Sequence, residues 1–346
     1  MVDGKQEVVA EVRTEEQETH FYEGKTVLVT GGTGFVGDYI VQELLKRGAS
    51  VRVPIHKRPL RIRDERICTM QADLTKVEDC RAAAKGIDYV FHAAGAVGAA
   101  AVTPISLMEA ITMNLTLTAQ MLRAGWVEDV KRLLLFSSST VYPVTSHAVK
   151  EEEAWNGSPH PAYLGYGWMR RYLEKLGGFV VANSNVKIAV VRPTAVYGRW
   201  DNFDPATSHV IPALIRKAVE RQDPYEVWGN GEEARDFLHA ADLARGSLLA
   251  LERYATCEPI NVGYGKATTI KEIVFMILNA ARYDKAKVVF NASRPTSIPF
   301  RLVDISKAER VLGFKPEVPL EKGLSDTVRW YAQMRLEKPS PKIDEW

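Results

Sequence analysis

The sequence lacks the features that mark several large protein classes. It has no apolar run long enough to cross a bilayer, and its first residues are acidic and polar rather than those of a secretion signal. It holds three cysteines, Cys68, Cys80 and Cys257, scattered without metal-ligand spacing or a disulfide pattern, which predicts a reducing, cytoplasmic setting and no metal centre. Charge of one sign is also missing. The formal net charge is +2 over 346 residues, so neither nucleic acid nor a membrane surface is expected as a partner. There is no internal repeat and no low-complexity segment. What remains is a chain long enough for one large domain and a smaller lobe.

That domain is organised around residues 30–37, TGGTGFVG. Before them, residues 25–29 form an apolar run the length of one buried strand. After them, residues 38–47 carry apolar side chains at helical spacing, and Gly48 ends the helix. Strand, glycine turn and helix in that order build a dinucleotide site: Gly31 permits the tight turn, Gly34 lets backbone N–H groups approach a pyrophosphate, and Gly37 lets the helix lie close to the strand. The helix N-terminus then faces the phosphate charge. Thr33, Phe35 and Val36 complete the predicted cofactor turn.

The second strand, residues 50–55, is followed by His56, Lys57 and Arg58, with no acid before Asp64. An NAD site usually places an acid there for the adenosine ribose, whereas cations suit a 2′-phosphate, so NADP is expected ahead of NAD. Asp73 and Leu74 follow the third strand, where Asp73 either meets the adenine or caps a helix. Residues 89–95 read as a fourth strand ending in small residues. Ala93 and Ala94 there let the backbone approach a cofactor, and His92 reads as packed beside it. A helix is expected over about 105–124, with Asn114 as a buried amide fixing nearby backbone.

Residues 131–136 form a fifth strand that runs into the hydroxyl-rich segment 137–143, SSSTVYP, at the edge where open parallel sheets bind ligands. Farther on, Tyr166 and Arg170 stand four apart, on one face of a helix. A cation beside a tyrosine favours the phenolate and makes the ring a general acid/base for a carbonyl or alcohol.

These three features in this order resemble the extended short-chain dehydrogenase/reductases, the NAD-dependent epimerase/dehydratase family that acts on nucleotide sugars, from about residue 25 to about 330. Residues 191–198, 201–205, 208–215, 227–231 and 235–243 look most like the GDP-fucose synthase branch, which epimerises C3 and C5 of a GDP-4-keto-6-deoxy sugar and reduces C4 with NADPH. The resemblance implies that Ser138 holds the substrate oxygen at C4 and that Tyr166 donates its proton as hydride arrives. Arg170 stands where the family has lysine, against the nicotinamide ribose. His209 matches the branch's second acid/base. Pro193 and Val196 would join the cofactor site; Asn202, Lys217, Trp228, Arg235 and Arg294 would join the substrate site, the two arginines against its phosphates.

Two residues depart from the pattern. Arg170 keeps the family's positive charge on a larger, planar group. Thr140 stands where the branch has an acid/base cysteine, and a threonine hydroxyl hydrogen-bonds but does not deprotonate carbon. Redox chemistry at one carbon is therefore expected, with His209 kept for binding or for a single proton transfer.

The expected architecture is a doubly wound parallel α/β sheet over residues 23–198 and 235–265, and a substrate lobe over 199–234 and 266–334. Residues 1–22 read as a polar extension and 335–346 as a tail. Residues 199–234 mix proline, glycine, tryptophan and charge in the manner of a lid. The activity expected is reduction of a nucleotide-diphospho-4-keto sugar. The alternatives are an epimerase that keeps its NAD(P) bound and a non-catalytic NADP or sugar-nucleotide binder. The helices near 105–124 and 163–183 resemble those that pair in family dimers, so a homodimer is expected.

Overall fold

The computed structural model describes residues 20–96, 104–294 and 296–337. The polar extension, up to residue 19, and the last part of the tail lie outside that range. The first half alternates strand and helix: β1 (Thr26–Thr30), α1 (Phe35–Lys46), β2 (Ser50–Ile55), β3 (Ile67–Gln71), α2 (Val77–Ala84), β4 (Tyr89–His92), α3 (Pro104–Val127) and β5 (Arg132–Phe136). After the short strand β6 (Ala148–Val149) come α4 (Leu164–Asn183), β7 (Lys187–Pro193), β8 (Ala195–Tyr197), α5 (Val210–Val219), β9 (Tyr225–Trp228), β10 (Ala234–His239) and α6 (Ala240–Arg253). The chain closes with β11 (Pro259–Val262), β12 (Ala267–Thr269), α7 (Ile270–Ala280), β13 (Val288–Asn291), β14 (Phe300–Val303), α8 (Ser306–Leu312) and α9 (Leu320–Glu337).

Seven parallel strands form the main sheet in the order β11-β7-β5-β4-β1-β2-β3. The order reverses between β1 and β4, and a doubly wound sheet binds ligands beyond the strand ends at that point. Period-two alternation explains why both faces of the sheet are covered. Val27 and Val29 of β1 point into a core with Ile40, Val41 and Leu44 of α1 and Leu248 and Leu251 of α6. Leu28 points the other way, into a core with Met121 and Leu122 of α3 and Val180 of α4.

A third core joins Ile211, Leu214 and Ile215 of α5, Ile273, Val274 and Ile277 of α7, and Leu324, Val328 and Tyr331 of α9. A second sheet in the order β12-β10-β14-β6, with β8 beside β10, stands next to it.

Three expectations need correction. Residues 199–234 are not a simple lid: α5 and β9 within them bury Leu214, Ile215, Tyr225 and Val227 in the third core. Residues 306–314, expected with the lobe, send Ala308, Leu312 and Phe314 into the first core beside α6, because these apolar groups match the underside of the sheet. The tail was expected from residue 335, but α9 continues to Glu337. Among the described residues no helix is long and apolar enough to cross a membrane.

Candidate active site

The glycine turn is built by close approach. Gly31 has φ +69°, and a Cβ there would lie 2.7 Å from the Ala93 carbonyl and the Ala94 nitrogen. Gly34 N–H donates to the Gly31 carbonyl at 2.8 Å, and a Cβ on Gly37 would lie 2.1 Å from that oxygen. The turn therefore packs directly against the end of β4, and the fold brings together Gly31, Gly34, Gly37, Ala93 and Ala94. Thr33, Phe35 and Val36 lie between these glycines, half-buried. Thr30 Oγ1 ties the two strand ends, meeting His92 Nδ1 at 2.9 Å and accepting from Ala94 N–H at 3.1 Å. His92 Nε2 lies 3.2 Å from Thr118 Oγ1. Burial, helped by the charge of Arg170, pushes the His92 imidazole down to about 3, so this ring is a neutral packed group. Asn114 donates to the carbonyls of Ala96 and Ala110, both at 2.7 Å, and so fixes the chain just past β4.

His56, Lys57 and Arg58 lie exposed beyond β2. Sequence reasoning passed over Arg61. Its guanidinium donates to the Gly34 carbonyl at 3.0 Å and to Asp38 at 3.3 Å, and covers the Trp200 ring at 4.5 Å. The signal was Asp38, an acid on the first turn of α1 that is 2 % exposed and needs a cation. Asp73 does not cap α2, whose N-cap is Lys76; its carboxylate accepts from Thr75 N–H and Oγ1 at 3.1 and 2.7 Å and closes a turn. Leu74 beside it is buried. Pro193 ends β7, and Val196 lies in β8, paired with Leu238.

Four of the catalytic candidates, Ser138, Thr140, Tyr166 and Arg170, lie by the C-terminal end of β5, whereas the fifth, His209, stands at the start of α5. Arg170 Nη2 donates to the Tyr166 hydroxyl at 2.7 Å, and Nη1 donates to the Phe136 carbonyl at 2.7 Å. The same guanidinium lies 5.0 Å from the Tyr166 ring centre. Arg170 Nε is buried without a partner. Ser138 Oγ accepts from Thr140 N–H at 3.2 Å and caps a short 3-10 turn. Thr140 Oγ1 is buried and makes no hydrogen bond. Gly167 lets α4 come close here, since a Cβ would lie 2.5 Å from the Thr140 carbonyl.

Beneath these groups runs a buried polar strut that sequence reasoning did not find. Glu174, two turns beyond Tyr166, pairs with Arg192 of β7 at 2.7 Å and accepts from Ser137 Oγ at 2.5 Å. Arg192 also donates to the Tyr142 hydroxyl at 3.0 Å, and that hydroxyl donates to Asn261 Oδ1 at 2.6 Å. Burial raises the Tyr142 phenol, so it stays a neutral donor.

The substrate candidates fall into three groups. His209 caps α5, with Nδ1 3.9 Å from Asp201 Oδ1. Asn202 is spent inside its loop: Nδ2 donates to Thr207 Oγ1 at 2.8 Å, and Oδ1 accepts from Asp204 N–H at 3.0 Å. Lys217, Arg294 and Trp228 gather around Glu226. Lys217 donates to the Glu226 carbonyl at 2.6 Å, Arg294 Nε lies 3.6 Å from its carboxylate, and Arg294 covers the Trp228 ring at 5.4 Å. Burial lowers the Lys217 ammonium.

The neighbour of Arg235 is not Arg294 but Arg301, in register with it across β10 and β14. Arg301 is 4 % exposed, with Nε and Nη1 unpartnered and only Nη2 bonded, at 3.3 Å to the Tyr142 carbonyl. Burial, first, and the charge of Arg235 lower its guanidinium to about 10. Residue 301 carries no motif, and its meaning appears only once β14 lies beside β10. Among the described residues no cluster of metal-ligating side chains occurs.

Fold and site together define a dinucleotide-binding α/β protein of the short-chain dehydrogenase type, with a tyrosine and a cation at the sheet's open edge. The chain belongs to the NAD dependent epimerase/dehydratase family, which it matches over residues 27–263. It is 31% identical over 322 residues to the putative GDP-L-fucose synthase 2 of Arabidopsis thaliana, covering 90% of this chain and 93% of that one. It is 32% identical over 318 residues to the dTDP-4-dehydro-6-deoxy-D-allose reductase of Streptomyces sp, covering 89% and 96%. A solved UDP-glucose 4-epimerase from Thermotoga maritima, with UDP-glucose, superposes with a TM-score of 0.78 at 25% identity, covering 89% of this chain and 99% of that one.

Proposed function

We propose that the protein reduces the 4-keto group of a nucleotide-diphospho sugar, GDP-linked, with NADPH as reductant. The observation that carries this reading is the pair of bonds from Arg170 to the Tyr166 hydroxyl and the Phe136 carbonyl. They hold a phenol and a permanent cation together where the sheet binds ligands.

The residues present fit a dinucleotide. The turn at Gly31 and Gly37 has no room for a Cβ, so its backbone is free to approach a diphosphate at the start of α1. Arg170 Nε is a buried donor left for a ribose hydroxyl. Lys57 and Arg58 are exposed cations, with His56 beside them and no acid among them, which supports NADP over NAD. When bound, the nicotinamide supplies hydride to C4. Ser138 Oγ donates to the C4 oxygen, and Tyr166 gives that oxygen its proton. The Arg170 guanidinium then steadies the phenolate. Thr140 adds a hydroxyl that binds but carries no proton to or from carbon, so two-centre epimerisation is not expected.

The sugar nucleotide lies toward the third core in this reading. Arg235 and the unpartnered nitrogens of Arg301 favour its diphosphate, and Trp228, with Arg294 and Lys217 around it, favours its base. A homodimer through α3 and α4 is part of the same reading. It is supported by Met108 and Trp126 on α3 and Trp168, Tyr172 and Phe179 on α4, all large, apolar and exposed. Three free cysteines agree with a reducing cytoplasm.

The test is a scan of nucleotide 4-keto sugars with NADPH and NADH, followed by absorbance and product stereochemistry, with Tyr166→Phe alongside. Turnover with a 4-keto sugar that vanishes in the variant while NADPH affinity is kept supports the reading. Full activity in Tyr166→Phe overturns it. Purified protein carrying tight NAD and interconverting sugars without net reduction makes it an epimerase instead.

A further inference from the structure

We infer that Arg61 is a positioning residue for the cofactor: it neutralises Asp38, which otherwise puts a buried negative charge at the helix end where a dinucleotide diphosphate is to lie. This role rests on the dinucleotide reading of the glycine turn.

Asp38 stands on the first turn of α1, and Gly34 is the N-cap of that helix. An acid there ordinarily complements the positive end of the helix. A diphosphate seated on the same end uses the same partial charge, so acid and ligand compete for it and repel each other. The Asp38 side chain is 2% exposed, so water and salt screen little of its charge. Its Oδ2 accepts from Gln42 Nε2 at 2.6 Å, which satisfies the oxygen but brings no positive charge. Burial raises the Asp38 carboxyl, and the charge of Arg61 is the first influence that opposes it.

The geometry ties this cation to the turn itself. Arg61 Nε donates to Asp38 Oδ1 at 3.3 Å, and Nη2 donates to the Gly34 carbonyl at 3.0 Å. The same carbonyl accepts from Asp38 N–H at 3.2 Å. Guanidinium, carboxylate and turn backbone thus close a ring at the mouth of α1. Trp200 covers the guanidinium, its ring centre 4.5 Å away, and Trp330 holds Trp200 edge-on at 4.9 Å. Arg61 is therefore held on several sides rather than reaching into solvent.

The other charged and titratable groups nearby do not replace it. Arg58 stands close enough that the charge of Arg61, after burial, lowers its guanidinium, but it is exposed and pairs with no oxygen of Asp38. Tyr39, next to Asp38, has its phenol pushed up to about 12 by burial and stays neutral. Arg199 and Asp201 face Tyr39 from the far side, and Arg199 gives that hydroxyl its backbone N–H at 3.1 Å. Among the described residues Arg61 is the one cation paired with Asp38.

The experiment measures NADPH and NADH affinity by fluorescence titration, from about pH 5 to 8, for the full chain. The variants are Arg61→Met, Asp38→Asn, the double variant and Arg61→Lys. Arg61→Met should bind about tenfold more weakly at the alkaline end. That deficit should shrink as pH falls, because Asp38 takes up a proton once its cation is gone. The double variant should return to within about threefold of the parent, and Arg61→Lys should keep most of the affinity. Taking the ratio of Arg61→Met to the double variant at each pH cancels the titration of the cofactor's own phosphate. Parent-like affinity in Arg61→Met overturns the inference. So does a loss that is equal at every pH and persists in the double variant. If Arg61→Met does not fold, Asp38→Asn decides: binding as tight as the parent or tighter supports the role, and weaker binding overturns it. A parent that binds neither cofactor overturns the dinucleotide reading, and this role with it; a parent that binds while the variants fail these expectations overturns this role alone.

Discussion

Replacing Arg170 with methionine keeps most of the side chain's bulk and removes its charge and its fork of donors. Two bonds go with it, to the Tyr166 hydroxyl and to the Phe136 carbonyl, each 2.7 Å long. A hydrogen bond to a charged partner contributes roughly 1.5–3 kcal/mol. In the proposed reaction Tyr166 gives up its proton, and the bond from Arg170 then joins a guanidinium to a phenolate, so most of its worth would be realised as the reaction proceeds. At about 1.4 kcal/mol per factor of ten, kcat should fall roughly 10- to 100-fold, with little change in KM for the sugar. Arg170→Lys restores the charge but replaces a rigid fork with one ammonium, and it removes the buried unpartnered Nε. These effects oppose each other, so its rate should stay within about tenfold of the parent. Initial rates of NADPH loss across pH, beside an independent NADPH titration, measure both variants. A methionine variant with the parent's kcat at every pH would refute the assignment of Arg170 to the phenol.

Three other perturbations test other parts of the structure. Gly37→Ala puts a methyl 2.1 Å from the Gly31 carbonyl, so the turn must open; stability should drop by about 1–3 kcal/mol and NADPH affinity by tenfold or more, and unchanged cofactor binding would remove the turn from the site. Glu174→Gln leaves Arg192, 1 % exposed, without its counter-charge, which costs about 3–5 kcal/mol and should lower Tm by roughly 10 °C in calorimetry. His92 is neutral when folded, with its imidazole held down to about 3, and takes a proton near 6.5 when unfolded. The unfolded chain therefore binds more protons in that window, and stability falls as pH drops through it, by roughly 2 kcal/mol between pH 6.5 and 5. Denaturant titrations should show that His92→Gln loses less stability than the parent over this range, and equal slopes would contradict the account.

The parts of this molecule that could be read from sequence are those whose cause is local. A glycine turn between a strand and a helix must bend and pack in one way, so Gly31, Gly34 and Gly37 revealed the first strand, the first helix and the tight turn between them at once. The spacing of Tyr166 and Arg170 puts them on one helix face whatever the rest of the chain does. The groups that escaped depend on partners far away in sequence. Arg301 has meaning only when β14 lies beside β10 and brings it next to Arg235, 66 positions earlier. Arg294 shared the expected chemistry but is claimed by Glu226 and Trp228, because β13 pairs with β9. Glu174 lies one turn past Arg170, and its role shows only when β7 places Arg192 against it. Arg61 shows the same dependence most plainly. It sits in a basic loop with His56, Lys57, Arg58 and Arg63, and nothing near it in sequence sets it apart. Only the buried Asp38 and the Gly34 carbonyl, which also accepts from Asp38 N–H at 3.2 Å, select it, while Lys57 and Arg58 stay exposed.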